Sequence, residues 1–173
     1  AKRPEMEYVE GQTTVDNPYL SKSAWGWQID PVGLRYALNW VQSRWSTPIY
    51  IVENGLGAVD KVESGAIHDD YRVTYLRAHI CEMKKAMLID GVDVRGYMPW
   101  SGTDIISAST GEMKKRYGLI YIDQDDWGEG TKARIPKDSY YWYQQVIASQ
   151  GAQIWTQLAH AEFRGELLQC SGA

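Results

Sequence analysis

The segment IYIVENG, residues 49–55, joins an apolar, β-branched run to a carboxylate and an Asn-Gly turn signal. From Pro48 to Val52 the apolar residues do not alternate with polar ones, which is typical of a strand covered on both faces in a parallel sheet. An ionised carboxylate at the end of such a strand is costly unless it is paired or solvated. The segment therefore predicts a parallel sheet, and it leaves the role of Glu53 to be explained.

Helical patterns lie on both sides of this strand. Asp30 is a good N-cap and Pro31 suits the first helical position, so the sequence predicts a helix over about residues 31–45. Asp69 and Asp70 open a second helix that runs to about residue 88. Its apolar stripe is predicted to consist of Val73, Leu76, Ile80, Met83 and Met87.

Three further segments follow the second helix. VRGYMPW predicts a strand at about residues 94–99, and YGLIYID is a third apolar run. DQDDWGEGTKARIP is interpreted as a turn-rich loop, and KDSYYWYQQVIAS as a final helix capped by Asp138 or Ser139. This order of helices and strands indicates an α/β fold with a parallel sheet and outer helices.

Composition excludes several classes of function. The 173 residues carry a net charge of −4 without a basic stripe, so neither nucleic acid nor an anionic membrane is an expected partner. No apolar run approaches the roughly 18 residues of a membrane span. Two cysteines, Cys81 and Cys170, favour a reducing cytoplasm over a disulfide framework. The three histidines lack metal-ligand spacing, and neither a metal nor a cofactor is predicted.

Glu53 is the first candidate for chemistry. In barrels and doubly wound α/β folds the carboxyl ends of the strands carry the active site, where a Glu can act as nucleophile, base or ligand. From spacing alone, a capping or ion-pair role explains this residue as well as catalysis does.

The second candidate is the segment from Ser107 to Tyr117, which follows a predicted strand and should lie at the same edge as Glu53. It combines hydroxyls, a Gly and three consecutive cations, and hydroxyls with an ammonium are suited to binding a phosphate. The alternative interpretation is a solvated basic loop.

Tryptophan is abundant, with eight Trp and twelve Tyr against one Phe. Flat apolar faces with a polar edge suit sugar binding, which makes Trp25, Trp27 and Trp100 a third set of candidates. The alternative for these residues is core packing. DQDDWG is rejected as a calcium loop because Trp127 occupies the fifth ligand position.

At IYIVENG the sequence resembles the strand-seven motif of family 1 glycoside hydrolases, in which the Glu is the catalytic nucleophile. Four more segments resemble the same family in the expected order: WGWQIDPVGLRYALNWV, HDDYRVTYLRAHICEMKKAM, DGVDVRGYMPWSGTDIISAS and KKRYGLIYID. The resemblance covers about residues 15–151 and is to the bacterial 6-phospho-β-glucosidase branch. It implies that residues 1–150 are the C-terminal portion of an incomplete (β/α)8 TIM barrel, with residues 151–173 as an atypical tail.

The residues after Trp100 carry the likeness to the phospho-branch. Ordinary β-glucosidases of the family have a Glu-Trp pair seven and eight residues beyond this Trp, where the present sequence has Ser107 and Ala108. In those enzymes the Glu binds the sugar's 4- and 6-hydroxyls. A Glu would repel a 6-phosphate, whereas a Ser donates a hydrogen bond to it. Phospho-galactosidases tend to have Trp at the position of Ala108, so Ala108 favours gluco substrates.

The resemblance also implies the roles of the other site residues. By position, Lys115 and Tyr117 match a phosphate-binding Lys-x-Tyr of the family, and Ser107 or Ser109 matches its phosphate-binding Ser. Trp25 and Trp100 match its sugar-site tryptophans. The implied mechanism is retaining hydrolysis, in which Glu53 attacks the anomeric carbon. A second carboxylic acid roughly 5 Å away protonates the leaving oxygen.

The family's acid lies in an Asn-Glu-Pro motif on strand four, and these 173 residues contain no such motif. A complete barrel also needs about 250 residues. The expected function is therefore hydrolysis of 6-phospho-β-glucosides as the C-terminal part of such an enzyme, inactive alone, with an N-terminal complementing fragment as a candidate partner. The alternatives are a non-catalytic phospho-sugar-binding remnant or non-functional gene fragment and, more weakly, a non-phospho β-glucosidase.

Overall fold

The structure, a computed structural model, describes residues 17–154. Its elements follow in the order α1 (Pro31–Trp45), β1 (Ile49–Asn54), α2 (Asp70–Leu88), β2 (Val94–Pro99), β3 (Ile120–Ile122), β4 (Arg134–Pro136) and α3 (Asp138–Ala148). β1 and β2 pair in parallel, and β3 and β4 form a separate antiparallel pair. Parallel pairing across the α2 crossover is the βαβ arrangement that the sequence predicts.

Local signals explain where the first elements begin. The Asp30 carboxylate accepts a hydrogen bond of 2.8 Å from the Gly33 amide, and Pro31 starts α1, so both predictions for this helix are confirmed. In the α2 stripe, Val73, Leu76 and Ile80 are buried as predicted. Met87 is wrong as a stripe residue because it is 37% exposed, and the neighbouring Ala86 is buried in its place.

Strand β1 extends two residues beyond its predicted end, so Glu53 and Asn54 belong to the strand. The prediction of cover on both faces is wrong for the described residues. Ile51 packs into the core, whereas Tyr50 is 58% and Val52 62% exposed on the other side. Successive side chains of a strand point to opposite faces, and the Ile51 face belongs to a buried cluster with Leu38 of α1 and Ala86 of α2.

The apolar run YGLIYID is a short strand, but it lies outside the parallel sheet. β3 pairs antiparallel with β4, and only a single parallel bridge between Thr103 and Ile120 links it to the segment after β2. The segment predicted as a turn-rich loop therefore includes β4. Each strand has three residues, too few to show a period in the sequence, so only the tertiary structure shows that they pair.

The predicted caps of α3 are wrong. Lys137 holds the N-cap position, and the side chains of the next two residues bind elsewhere. Asp138 contacts His68 Nδ1 at 2.7 Å, and Ser139 donates from its amide and its hydroxyl to the Asp69 carboxylate at 2.8 and 2.6 Å. A carboxylate from the start of α2 thus binds the first turn of α3.

Buried charges join the loops on the β1–β2 carboxyl edge. The Lys137 ammonium lies 2.5 Å from Asp60 Oδ2 and 2.8 Å from Asp104 Oδ1, and all three side chains are fully buried. Asp104 also accepts from the Gly118 amide at 3.0 Å and pairs with Arg116 at 3.5 Å. These contacts fix the loops after β1 and β2 to the start of α3.

Within residues 17–154, none of the helices is both long enough and apolar enough to cross a membrane. Cys81 is buried in α2, and Cys170 lies outside the described residues. The predicted tail is also largely outside them.

Candidate active site

The carboxyl ends of β1 and β2 are locked together next to Glu53. Asn54 accepts a hydrogen bond of 2.6 Å from the Tyr97 hydroxyl, and its carbonyl accepts one of 2.9 Å from the Trp100 amide. A Cβ on Gly55 would lie 2.9 Å from the Trp100 Cβ, so only glycine permits this approach. Glu53 is exposed at this edge, which answers how a strand-end acid avoids the cost of burial.

A pocket of about 370 Å³ opens at this edge. It is lined by Trp27, Glu53, Asn54, Gly55, Trp100, Ala108, Ser109 and Tyr117. Four of the seven predicted site residues line it, and Glu53 is the one carboxylate among the lining residues described. The juxtaposition of the β1 end with the loop after β2 is the arrangement that the sequence predicts.

The two candidate serines occupy different environments. Ser107 is buried, and its hydroxyl lies 3.0 Å from the Tyr117 hydroxyl and 3.2 Å from that of Ser109. Ser109 is exposed and lines the pocket. Ser107 therefore contacts the hydroxyls of two pocket-lining residues without lining the pocket itself.

Lys115 is buried among aromatic rings behind the pocket. Its side chain is 1% exposed, and its ammonium lies 4.2 Å from the ring centroid of Trp27, 5.5 Å from Trp25 and 5.6 Å from Tyr117. Electron-rich ring faces stabilise a cation that has left water. The interpretation of 107–117 as a solvated basic loop is wrong for Lys115 and Arg116, which are both buried; Lys114 alone of the three cations is exposed.

Gly57 sets the position of the Lys115 side chain. A Cβ at this glycine would lie 2.7 Å from Lys115 Cγ and 3.1 Å from Tyr117 Cε1, closer than side chains pack. The loop after β1 therefore runs directly over the Lys115 stem.

Trp25 lies beside the pocket residues without lining it. Its indole N–H donates a hydrogen bond of 3.0 Å to Glu112 Oε2, and the other Glu112 oxygen pairs with the Lys114 ammonium at 2.7 Å. The Lys114 hydrogen bond, with further bonds from Thr110 and Trp25, lowers the pKa of Glu112 to about 2. The carboxylate thus holds Trp25 against Lys115 from the loop side.

We expect Glu112 to stabilise the fold in a defined pH range. Its pKa falls from 4.5 when unfolded to about 2 when folded, so its contribution is complete above pH 4.5 and is lost as the pH falls through about 2. Glu112→Gln should therefore be less stable than the parent at neutral pH, with the difference narrowing as acid is added. Urea unfolding across this range measures it. A difference in the free energy of unfolding that stays constant with pH would contradict the expectation. Glu129→Gln, which changes an exposed acid, is the control.

Several residues at the site are not predictable from the sequence patterns. Among the candidate tryptophans, Trp27 lines the pocket and Trp25 does not. Asn54 and Gly55, predicted only as a turn, line the pocket, and Gly57 lies against Lys115; the density of glycine after IYIVEN is a signal of close backbone approach. Within residues 17–154, no group of three His, Cys, Asp or Glu side chains is arranged to hold a metal ion.

Comparison with known proteins gives a consistent set of relatives. The family model described as Glycosyl hydrolase family 1 matches residues 1–152. The chain is 58% identical over 141 residues to an aryl-phospho-β-D-glucosidase, BglH, of Bacillus subtilis, and 56% identical to a 6-phospho-β-glucosidase of Dickeya chrysanthemi. Each match covers 81% of this chain and 30% of the relative.

Solved structures agree with the sequence relatives. A family 1 β-glucosidase from Thermotoga maritima superposes with a TM-score of 0.71 at 38% identity, covering 79% of this chain and 30% of that one. The described fold therefore matches part of that enzyme's fold, and residues 17–154 form no closed barrel. The chain spans about 30% of the length of the curated relatives it matches.

Proposed function

The chain belongs to glycosyl hydrolase family 1, and on this premise we propose that it carries the nucleophile and the phosphate site of a retaining 6-phospho-β-glucosidase. The observation that carries the proposal is the single pocket that Glu53 shares with Ser109 and Tyr117, with the Lys115 ammonium behind it. The names of the relatives, at 58% and 56% identity, support the phosphorylated substrate.

Glu53 is proposed as the nucleophile. Its carboxylate attacks the anomeric carbon, the glycosidic bond to the leaving oxygen breaks, and a glycosyl-enzyme forms; water then releases the sugar and frees Glu53. A carboxylic acid about 5 Å from the nucleophile has to protonate the leaving oxygen and later activate the water. The pocket formed by the described residues has no second carboxylate, so the chain is proposed to work only with a complementing portion of the barrel.

The 6-phosphate is proposed to bind at Ser109, Lys115 and Tyr117. Two hydroxyls and an ammonium supply three donors to one phosphate, and charge-assisted hydrogen bonds of this kind are about twice as strong as neutral ones. The Ser107 hydroxyl lies within hydrogen-bond distance of both the Tyr117 and the Ser109 hydroxyls and so fixes their positions relative to each other. Ser109, which lines the pocket, is therefore proposed as the serine that contacts the phosphate.

Two tryptophans are assigned different roles, one at the sugar ring and one beside the Lys115 ammonium. Trp100 lines the pocket beside Glu53 and is proposed to pack on the sugar ring. Trp25 is assigned to support Lys115 through Glu112, which differs from the sugar contact expected from the sequence. A doubly charged sugar phosphate does not cross a lipid bilayer unaided, so the proposed location is the cytoplasm where such substrates are retained.

We expect Lys115→Met to weaken glucose 6-phosphate binding by about 10- to 100-fold, because one charge-assisted hydrogen bond of about 1.5–3 kcal/mol is lost. Calorimetry on the 173-residue chain measures the dissociation constant. Met retains the length that fills the aromatic enclosure. Lys61→Met, on an exposed side chain outside the pocket, is the matched control.

The same titration separates the alternatives. Binding that is absent in the parent chain would favour a remnant without function over the proposed site. Binding that is equal in the parent chain and in Lys115→Met would remove Lys115 from the phosphate site. A plain β-glucosidase is the weaker alternative, and it would hydrolyse unphosphorylated and phosphorylated substrates equally well after complementation.

A further inference from the structure

Arg72, in the first turn of α2, has every donor of its guanidinium engaged although the side chain is 2% exposed. An arginine has five N–H groups in a fixed plane. Here they meet five acceptors: the Asp69 carboxylate at 2.9 Å, the Tyr71 hydroxyl at 2.9 Å, and the carbonyls of Leu56, Tyr117 and Arg116 at 3.0, 2.8 and 3.2 Å.

The three carbonyls belong to two separate segments of the candidate site. Leu56 directly follows the pocket residues that begin at Glu53. The other two carbonyls lie at positions 116 and 117, immediately after Lys115. The Nη1 atom of Arg72 donates to both segments at once, because it binds the carbonyls of Leu56 and Tyr117. A backbone bridge between Ala58 and Arg116 runs alongside these bonds.

Two of the side chains that accept hydrogen bonds from the Arg72 guanidinium are themselves fixed by further hydrogen bonds. Asp69 binds Nε and also accepts from Ser139 of α3, and the Tyr71 hydroxyl that accepts from Nη2 donates in turn to Asp60. Arg72 donates to none of the side chains proposed to touch substrate; among those residues it binds only the backbone carbonyl of Tyr117. Its influence on the reaction therefore has to pass through the position of the two segments.

We propose that Arg72 is a positioning residue that sets the spacing between the nucleophile segment and the phosphate-binding segment. The inference rests on the proposed function. In a 6-phosphoglucoside the distance from the phosphate to the anomeric carbon is limited to a narrow range, so both ends are bound well only if the two segments are correctly spaced. A lysine at this position has three donors and no plane, and cannot hold both segments and Asp69 together.

The test compares two ligands on the 173-residue chain. Inorganic phosphate needs the phosphate segment alone, whereas glucose 6-phosphate spans both segments. Arg72→Lys is expected to weaken glucose 6-phosphate binding by about tenfold or more and phosphate binding by less than about threefold. The ratio of the glucose 6-phosphate dissociation constant to the phosphate dissociation constant should therefore rise. Loss of stability alone would lower the melting temperature without changing this ratio in the folded protein. Arg77→Lys, the same change on the same helix, is the control.

Each result decides between the possibilities. A parent chain that binds neither ligand would overturn the proposed function before Arg72 is considered. A parent chain that prefers glucose 6-phosphate, with an unchanged ratio in Arg72→Lys, would overturn the spacing role and leave the proposed function standing. If Arg72→Lys lacks the circular dichroism of the parent, Tyr71→Phe replaces it. That variant removes one of the five acceptors and should also raise the ratio of the glucose 6-phosphate to the phosphate dissociation constant, and no change there would also overturn the role.

Discussion

Glu53→Gln is expected to lower the turnover of a chromogenic 6-phospho-β-glucoside by about four orders of magnitude or more once the chain is complemented by the rest of a family barrel. Glutamine has nearly the shape of glutamate, but its amide does not attack the anomeric carbon, so the glycosyl-enzyme cannot form. The measurement is the initial rate of chromophore release under saturating substrate.

Two comparisons make this result specific. Glu63→Gln changes an exposed acid in the loop after β1 that does not line the pocket, and it should retain the parent rate. Glucose 6-phosphate binding should survive in Glu53→Gln, since the phosphate segment is untouched. Turnover within tenfold of the parent would remove Glu53 as the nucleophile.

Lys137→Met is expected to lower the free energy of unfolding by about 3–5 kcal/mol, because removing one partner of a buried ion pair leaves uncompensated charge. The Lys137 ammonium faces Asp60 at 2.5 Å and Asp104 at 2.8 Å, and none of the three side chains reaches solvent. Urea unfolding of the 173-residue chain measures the difference.

The control and the counter-test use the same network. Lys61→Met removes an exposed cation one residue from Asp60 and should change stability by less than about 0.5 kcal/mol. Adding Asp104→Asn to Lys137→Met should recover part of the loss, because one of the two carboxylates that lose the Lys137 ammonium is neutralised. Equal stability of Lys137→Met and the parent would contradict the account of this buried group.

The parts of the fold set by near neighbours in the chain could be predicted from the sequence. α1 begins where Asp30 and Pro31 predict, β2 has its predicted bounds, and Glu53 lies at the carboxyl end of a strand that pairs in parallel. The start of α1 and the bounds of β2 depend on residues close together in the chain, whereas the parallel pairing of β1 with β2 is inferred from the order of helices and strands. Family motifs added the identity of the chemistry, which periodicity does not carry.

Tertiary contacts decided the remaining features. The caps predicted for α3 fail because Ser139 binds a carboxylate 70 positions earlier in the chain. The short strands β3 and β4 pair with each other, and β3 also bonds to the segment after β2, so both depend on partners distant in the chain. The exposed face of β1 follows from which helices reach it rather than from its apolar composition.

The candidate site shows the same division. The sequence alone determined that Glu53 ends a strand and that a loop with hydroxyls and cations follows the next strand. Only the tertiary structure decided that Lys115 is buried against Trp27, that Ser109 rather than Ser107 reaches the pocket, and that Arg72 joins the two segments. The physical reason is that burial and hydrogen bonding depend on groups tens of residues apart, whose distances no local pattern records.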